Sequence, residues 1–204
     1  MYLTRLMLNR SRAAVLWVAN PYRVHQRLMM GCDEDPRLLF RIEETERGVQ
    51  ILAQSTRAPD WQKAFGDFPV LLHPPEEKAF DPRLLEGARY RFRLLANPTV
   101  KVTVEKEGEE SRKTRRGLIK EKDQLEWIKR KLEAAGAEVL GCMTVPRGLQ
   151  HSHKGGNEGS QTHLAVLFEG VLAVQDAMKL KTALQDGIGS AKGYGFGLLS
   201  LARV

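Results

Sequence analysis

The chain has 204 residues, 42% of them hydrophobic, enough for one large domain or two small ones with a real core. No apolar run approaches the roughly 20 residues that span a bilayer, and the start, Met1-Tyr2-Leu3-Thr4-Arg5, does not read as a signal peptide because its apolar stretch is short and broken by Arg5 and Arg10. The two cysteines, Cys32 and Cys142, stand in no metal-binding spacing, and 32 basic residues against 25 acidic ones give a net charge of +7, so a cytoplasmic protein with an anionic partner is expected and a membrane protein is not.

Met1 to Asn9 alternates loosely and predicts a first strand. Asn20-Pro21-Tyr22-Arg23-Val24-His25-Gln26-Arg27-Leu28 predicts the start of a helix. Asn20 suits the N-cap, Pro21 the first helical position, and Gly31 a stop. Tyr22 and His25, three apart, then project from neighbouring points on one face, with Arg23 and Arg27 as flanking cations. A phenol and an imidazole near a helix N-terminus can hold and cleave a phosphodiester, although a packed tyrosine with a surface histidine gives the same pattern. Leu38 to Glu43 and Val49 to Gln54 flank the turn signal Glu46-Arg47-Gly48 and predict a hairpin. From Pro59 to Pro82 the prolines exclude a long element, leaving a short helix at Asp60 to Phe65 and an edge strand near Lys78 to Phe80.

The pattern then restarts. Arg89 to Leu95 alternates basic outward and apolar inward, and Thr99 to Arg116 reads as a charged loop. Leu118 to Ala135 predicts a helix with Leu125, Ile128 and Leu132 as its buried stripe and Gly136 as its cap. Trp127 on it is expected in the core or against a partner. Val139 to Thr144 and His163 to Glu169 predict strands around a loop containing glycine, histidine and lysine, Asp176 to Gln185 a helix, and Leu198 to Leu201 a last strand. Each half therefore approximates β-α-β-β-α-β. The expected class is α+β, two tandem ferredoxin-like domains with a cleft between them, residues 1–87 carrying the Tyr/His helix and 88–204 the basic segment and glycine-rich loop.

From Ser111 to Leu132 nine basic residues face three acids, the footprint of a phosphate-binding surface. Arg112, Lys113, Arg115, Arg116 and Lys120 are its candidates, and a solvated loop is the alternative. Gly187-Ile188-Gly189-Ser190-Ala191-Lys192-Gly193-Tyr194-Gly195-Phe196-Gly197 lets the backbone approach another chain and can aim amides at an anion. Gly189, Lys192 and Gly193 are its candidate contacts. A helix precedes it and a strand closes it, which excludes a dinucleotide fingerprint, and the absence of Gly-Lys-Ser/Thr excludes a Walker loop. His151, His153 and His163 lack an acidic or cysteine partner at ligand spacing and read as solvated loop histidines, so no metal and no cofactor are expected. Arg147 and Lys154 lie in the same segment, whose hairpin tip can reach an RNA groove.

Five stretches carry a family resemblance. They are Tyr22-x-x-His25-Gln26; Phe92-Arg93-Leu94-Leu95-Ala96-Asn97-Pro98; Leu118-Ile119-Lys120-Glu121; Val166-Leu167-Phe168-Glu169-Gly170-Val171-Leu172; and Gly187-Ile188-Gly189-x-x-Lys192 followed by Gly197-Leu198-Leu199-Ser200-Leu201. In that order, over nearly the whole chain, the sequence resembles the CasE (Cse3) family of CRISPR-associated endoribonucleases in the RAMP superfamily. The resemblance implies two ferredoxin-like domains and a metal-independent cut in precursor CRISPR RNA, within the repeat and beside a stem-loop. It also implies that the product stays bound among the other subunits of the Cascade complex. By resemblance His25 falls on the family's catalytic histidine and Tyr22 on its neighbouring tyrosine. Residues 99–116 and 146–162 are where such families vary.

The chemistry is consistent with that. RNA cleaves itself when its 2′-hydroxyl is deprotonated and attacks the adjacent phosphate, which needs a base, an acid for the leaving 5′-oxygen and charge stabilisation. One imidazole cannot be both base and acid in one step, so Tyr22, a lysine or water shares the work with His25. The competing reading is a non-catalytic RNA-binding subunit of the same fold, which has no need of the imidazole.

Overall fold

The computed structural model describes residues 1–33, 37–104, 112–153 and 159–204. The first unit runs β1 (Tyr2–Met7), α1 (Arg12–Val18), α2 (Pro21–Gly31), β2 (Leu39–Thr45), β3 (Gly48–Ser55), α3 (Trp61–Phe65) and β4 (Glu76–Ala79). Its strands form an antiparallel sheet in the order β2-β3-β1-β4. Leu6 sits opposite Ile51 across β1 and β3, and both are fully buried. Together with Val24, Leu28 and Phe40 they form the centre of the first core. Each such side chain contributes roughly 1.5–3 kcal/mol by leaving water.

The second unit runs β5 (Arg89–Ala96), β6 (Thr99–Val104), β7 (Arg112–Gly117), α4 (Glu121–Ala134), β8 (Ala137–His153), β9 (Ser160–Val174), α5 (Ala177–Asp186) and β10 (Leu199–Arg203). Its sheet order, β10-β5-β9-β8, is the same fourth-first-third-second arrangement as in the first unit. The molecule is α+β, with two tandem ferredoxin-like domains, and the second carries the β6–β7 hairpin as an insertion. In β5 Tyr90, Phe92 and Leu94 point into the core while Arg89, Arg91 and Arg93 face out, as the alternation predicts. Among the described residues no helix is long and apolar enough to cross a membrane.

Several expectations need correction. Thr99 to Arg116 is no loop where it is described: Thr99–Val104 pairs with Arg112–Gly117. Val100, Val102 and Val104 alternate with threonine and lysine, a β-branched pattern hidden by the surrounding charge. His151 and His153 lie in β8, which is 17 residues long, so they sit on a paired strand. Helix α2 stops at Gly31 as predicted, with Gly31 as its last helical residue. A Cβ there would lie 3.0 Å from Asp60 O and Trp61, so its missing side chain lets α3 approach. Helix α1, a turn earlier, has no counterpart among the elements that the sequence predicts. Helix α4 begins three residues later than predicted, its buried face is Gln124, Trp127, Ile128 and Leu132, and Leu125 is only half-buried. Trp127 is in the core, stacked on Phe168. Gly136 follows α4 at φ 79°, where a Cβ would lie 2.7 Å from Asp176 O.

The two domains are joined by buried polar contacts. Gln54 Nε2 donates to Leu184 O at 2.7 Å. Arg41, only 3% exposed, donates to Leu198 O at 2.9 Å and to Ser200 Oγ at 3.0 Å. It also pairs with Glu43 at 2.7 Å, and Arg93 of the second domain reaches both Glu43 and Glu169. Burial raises the Glu43 pKa, but Arg41, Gln50 and Arg93 together hold it below the usual carboxylate value. Beside this network a cleft of about 510 Å³ opens between the domains, lined by Pro21, Arg41, Glu43, Arg93 and Arg147 among others.

Candidate active site

The site is built from the start of α2. Asn20 caps the helix, its side chain accepting from the Tyr22 amide at 3.3 Å, and its Nδ2 donates to His153 O at 2.9 Å. One residue therefore both starts the helix and ties it to β8 of the other domain. Val24 and Leu28 anchor the helix in the first core. The three-residue spacing then turns Tyr22 and His25 toward the second domain, as their contacts show.

His25 lies parallel to Phe40 of β2, with ring centroids 6.1 Å apart and planes at 12°. The turn after α5 passes against it, and a Cβ on Gly193 would lie 3.3 Å from His25 Cδ2 and Nε2. Tyr22 stacks on Tyr194 of that turn at 5.8 Å. Tyr194 also meets the ring of His163 of β9, at 4.6 Å, and His163 in turn meets the edge of Phe196. Asn97, at the end of β5, meets His163 Nδ1 at 3.2 Å. Gln150 of β8 fixes the turn by donating to Tyr194 O at 2.6 Å. Two sets of rings thus stand at the junction, His25 on Phe40 within the first domain and Tyr22 on Tyr194, backed by His163 and Phe196, across it.

Burial lowers the pKa of His25, so the imidazole is neutral at neutral pH. Its Nδ1 is buried and has no hydrogen-bond partner among the described residues. His163 is lowered by the same cause. The solvated-loop reading therefore fails for His163, which is half-buried between aromatic rings and Asn97. It holds for His151 only in that the ring is exposed on the hairpin, where it meets Thr162 Oγ1. Among the described residues no three His, Cys, Asp or Glu side chains gather into a metal-binding group.

The remaining sequence candidates are dispersed. Arg23 is exposed on the first turn of α2. Arg27 turns away from His25, 3.4 Å from Asp67 and over the ring of Phe68. Lys113, Arg115 and Arg116 are exposed on β7, while the Arg112 side chain and Lys154 lie outside the described residues. Lys120 is the exposed residue before α4, and Arg147 lines the cleft. The glycines of the turn face this chain's own side chains: Gly187 Leu39, Gly189 Trp127, Gly193 His25 and Gly195 Phe40. Lys192 donates to Asp186 O, the last carbonyl of α5. Of the residues singled out for RNA, only Gly193 is brought onto His25. The residues that sequence reasoning missed are Phe40, Asn97, Gln150 and Tyr194, while His163 stands out in the sequence but reads there as a loop histidine. Only Asn97 and Tyr194 left a signal, Asn97 in the Phe92 to Pro98 motif and Tyr194 in the glycine-rich stretch.

The family model described as "CRISPR associated protein" matches residues 1–203. The chain is 34% identical to the CRISPR-associated endoribonuclease Cse3 of Thermus thermophilus, over 99% of this chain and 100% of that one. It is 33% identical to the CRISPR system Cascade subunit CasE of Escherichia coli, over 99% of both. A solved structure of CRISPR endoribonuclease Cse3 bound to a 19-nucleotide RNA superposes with a TM-score of 0.83 at 33% identity, covering 99% of this chain and 100% of that one. The shared fold, the unbroken coverage and the matching motifs agree: the chain belongs to the CRISPR-associated Cse3/CasE family.

Proposed function

We propose that this protein is a metal-independent endoribonuclease that cuts precursor CRISPR RNA within the repeat, beside a stem-loop, and keeps the product as a subunit of Cascade in the cytoplasm. The observation that carries the reading is His25, kept neutral by burial, with Tyr22 beside it at the junction of the two domains. The two relatives described above are named as an endoribonuclease and as a Cascade subunit.

A neutral imidazole is the form that accepts a proton. His25 takes the proton of the 2′-hydroxyl upstream of the cut, and the 2′-oxygen attacks the neighbouring phosphorus. The bond from phosphorus to the 5′-oxygen breaks, and that oxygen takes a proton from Tyr22 or from water. The products are a 2′,3′-cyclic phosphate and a 5′-hydroxyl. Because the nucleophile is internal to the RNA, no metal-activated water is required. The β6–β7 hairpin supports an anionic partner independently: Lys101 lies directly opposite Arg115, a like-charge cross-strand pair that is unfavourable until a phosphate lies against it. Arg112, Lys113, Arg116, Lys120, Arg147 and Lys154 are proposed to add phosphate contacts along the same RNA.

The test is paired. An all-ribose repeat hairpin should be cut in EDTA. The same hairpin with a single 2′-deoxy residue at the scissile nucleotide should bind but survive in magnesium. His25→Ala should bind the hairpin and leave it intact. Cutting of the deoxy substrate, or none of the ribose substrate in chelator, overturns the mechanism. Full-rate cutting by His25→Ala removes the imidazole from the mechanism.

A further inference from the structure

Tyr22 is the second residue of α2, in the turn whose amides have no carbonyl within the helix to donate to. Its amide donates instead to Asn20 Oδ1 at 3.3 Å. The other end of that side chain, Nδ2, donates to His153 O of β8 at 2.9 Å. An amide on one side and a carbonyl on the other fix which way the Asn20 carboxamide points. The Tyr22 backbone is thus tied through one side chain to β8. The Tyr22 ring is tied to the same strand by another route. It stacks on Tyr194, with centroids 5.8 Å apart and planes at 28°, and Tyr194 O accepts from Gln150 Nε2 at 2.6 Å. Gln150 and His153 both belong to β8. One strand of the second domain therefore holds both the main chain and the ring of a residue of the first.

These two bonds are not what joins the domains. Arg41 and Gln54 do that from buried positions, through Leu198, Ser200 and Leu184. The Asn20 bond is exposed and the Gln150 bond partly buried, so each contributes little to stability. What they fix is where the Tyr22 hydroxyl stands. A phenol in a first turn swings whenever that turn frays, whereas a proton donor must stay within hydrogen-bond reach of the oxygen it serves. We propose that Asn20 and Gln150 are positioning residues for cleavage, through which β8 holds Tyr22 against the leaving 5′-oxygen. The proposal rests on the reading of the chain as a nuclease that uses the Tyr22–His25 pair.

The experiment uses the full chain and a repeat hairpin, with protein in excess so that one turnover is followed. Asn20→Ser keeps an N-cap acceptor of equal rank, but its hydroxyl is too short to reach His153 O. Gln150→Met keeps the stem and loses the donor. Each should lower the cleavage rate of bound hairpin about tenfold, the scale of a small misplacement of a reacting group. Affinity for a hairpin made uncleavable by a 2′-deoxy at the scissile nucleotide should stay within about twofold of wild type. Each melting temperature should fall by no more than about 4 °C, the scale of one hydrogen bond in a chain of this size. Tyr22→Phe keeps the stacked ring and removes the hydroxyl. In that background neither substitution should slow the residual, water-assisted cutting by more than about twofold. The positioning role alone is overturned if either variant cuts at the wild-type rate, loses rate only as it loses affinity, or costs as much in Tyr22→Phe as in wild type. Wild-type protein that cuts no hairpin overturns the nuclease reading as well.

Discussion

Gly193 lies so close to His25 that a Cβ on it would rest 3.3 Å from the imidazole Cδ2 and Nε2. The contact is tighter than ordinary van der Waals packing, and the backbone there is not left-handed, so the need for glycine is one of space. Gly193→Ala should leave the fold and hairpin binding near wild type while pushing the ring off its position. We expect single-turnover cleavage to fall by about tenfold or more, the scale of small misplacements of a reacting group. An unchanged rate would show that the turn does not position His25.

Burial lowers the pKa of both His25 and His163 below 6.5 in the folded state. Well above pH 6.5 both states are neutral at these rings and their contribution is complete. As pH falls from 6.5 through the folded value, the unfolded chain binds protons first, and stability drops. Urea midpoints should therefore decline over this window, before carboxylates begin to titrate, and His25→Phe should flatten part of the decline. The cleavage rate should rise with pH over the same range, with an inflection below 6.5, and reach a plateau by neutrality if His25 works as the base. A rate that falls across that window would assign it the acid role.

Arg41 is expected to be the most sensitive point of the domain junction. It joins Glu43 to Leu198 and Ser200 while almost fully buried. Arg41→Met keeps the stem but leaves Glu43 and two acceptors short of a donor. Breaking a buried pair from one side costs about 3–5 kcal/mol. Denaturant unfolding should register a drop in stability of that order, and a drop below about 1 kcal/mol would mean that Arg93 compensates.

Replacing Lys113, Arg115 and Arg116 together by alanine should weaken hairpin binding and flatten its salt dependence. Each phosphate that the variant no longer neutralises lowers the slope of log affinity against log salt by up to about 0.9. An identical slope in the triple variant would make β7 a solvated edge.

How much of this was legible in the chain follows from what each signal depends on. The start of α2 was readable because Asn20 and Pro21 act locally, through a side-chain cap and a fixed φ. The β5 alternation was readable because a sheet with one buried face imposes a period of two. The element order βαββαβ in each half followed from those periods. Tyr22 and His25 shared a face by helix geometry alone.

Only the tertiary structure decided what meets them. Tyr194 and Phe40 meet α2 directly and His163 and Asn97 back Tyr194, four residues from four separate segments whose meeting depends on how two sheets pack across a buried arginine. No local pattern encodes that. The β6–β7 hairpin was missed because its pairing lies between segments whose charges alone suggest a loop. The glycine turn shows the same division: its composition announced close approach, but the partners it approaches, His25 and Phe40, are set by long-range packing. Local rules fix how a segment is shaped, whereas the protonation state of His25 depends on what buries it, and that is supplied by residues distant in the chain.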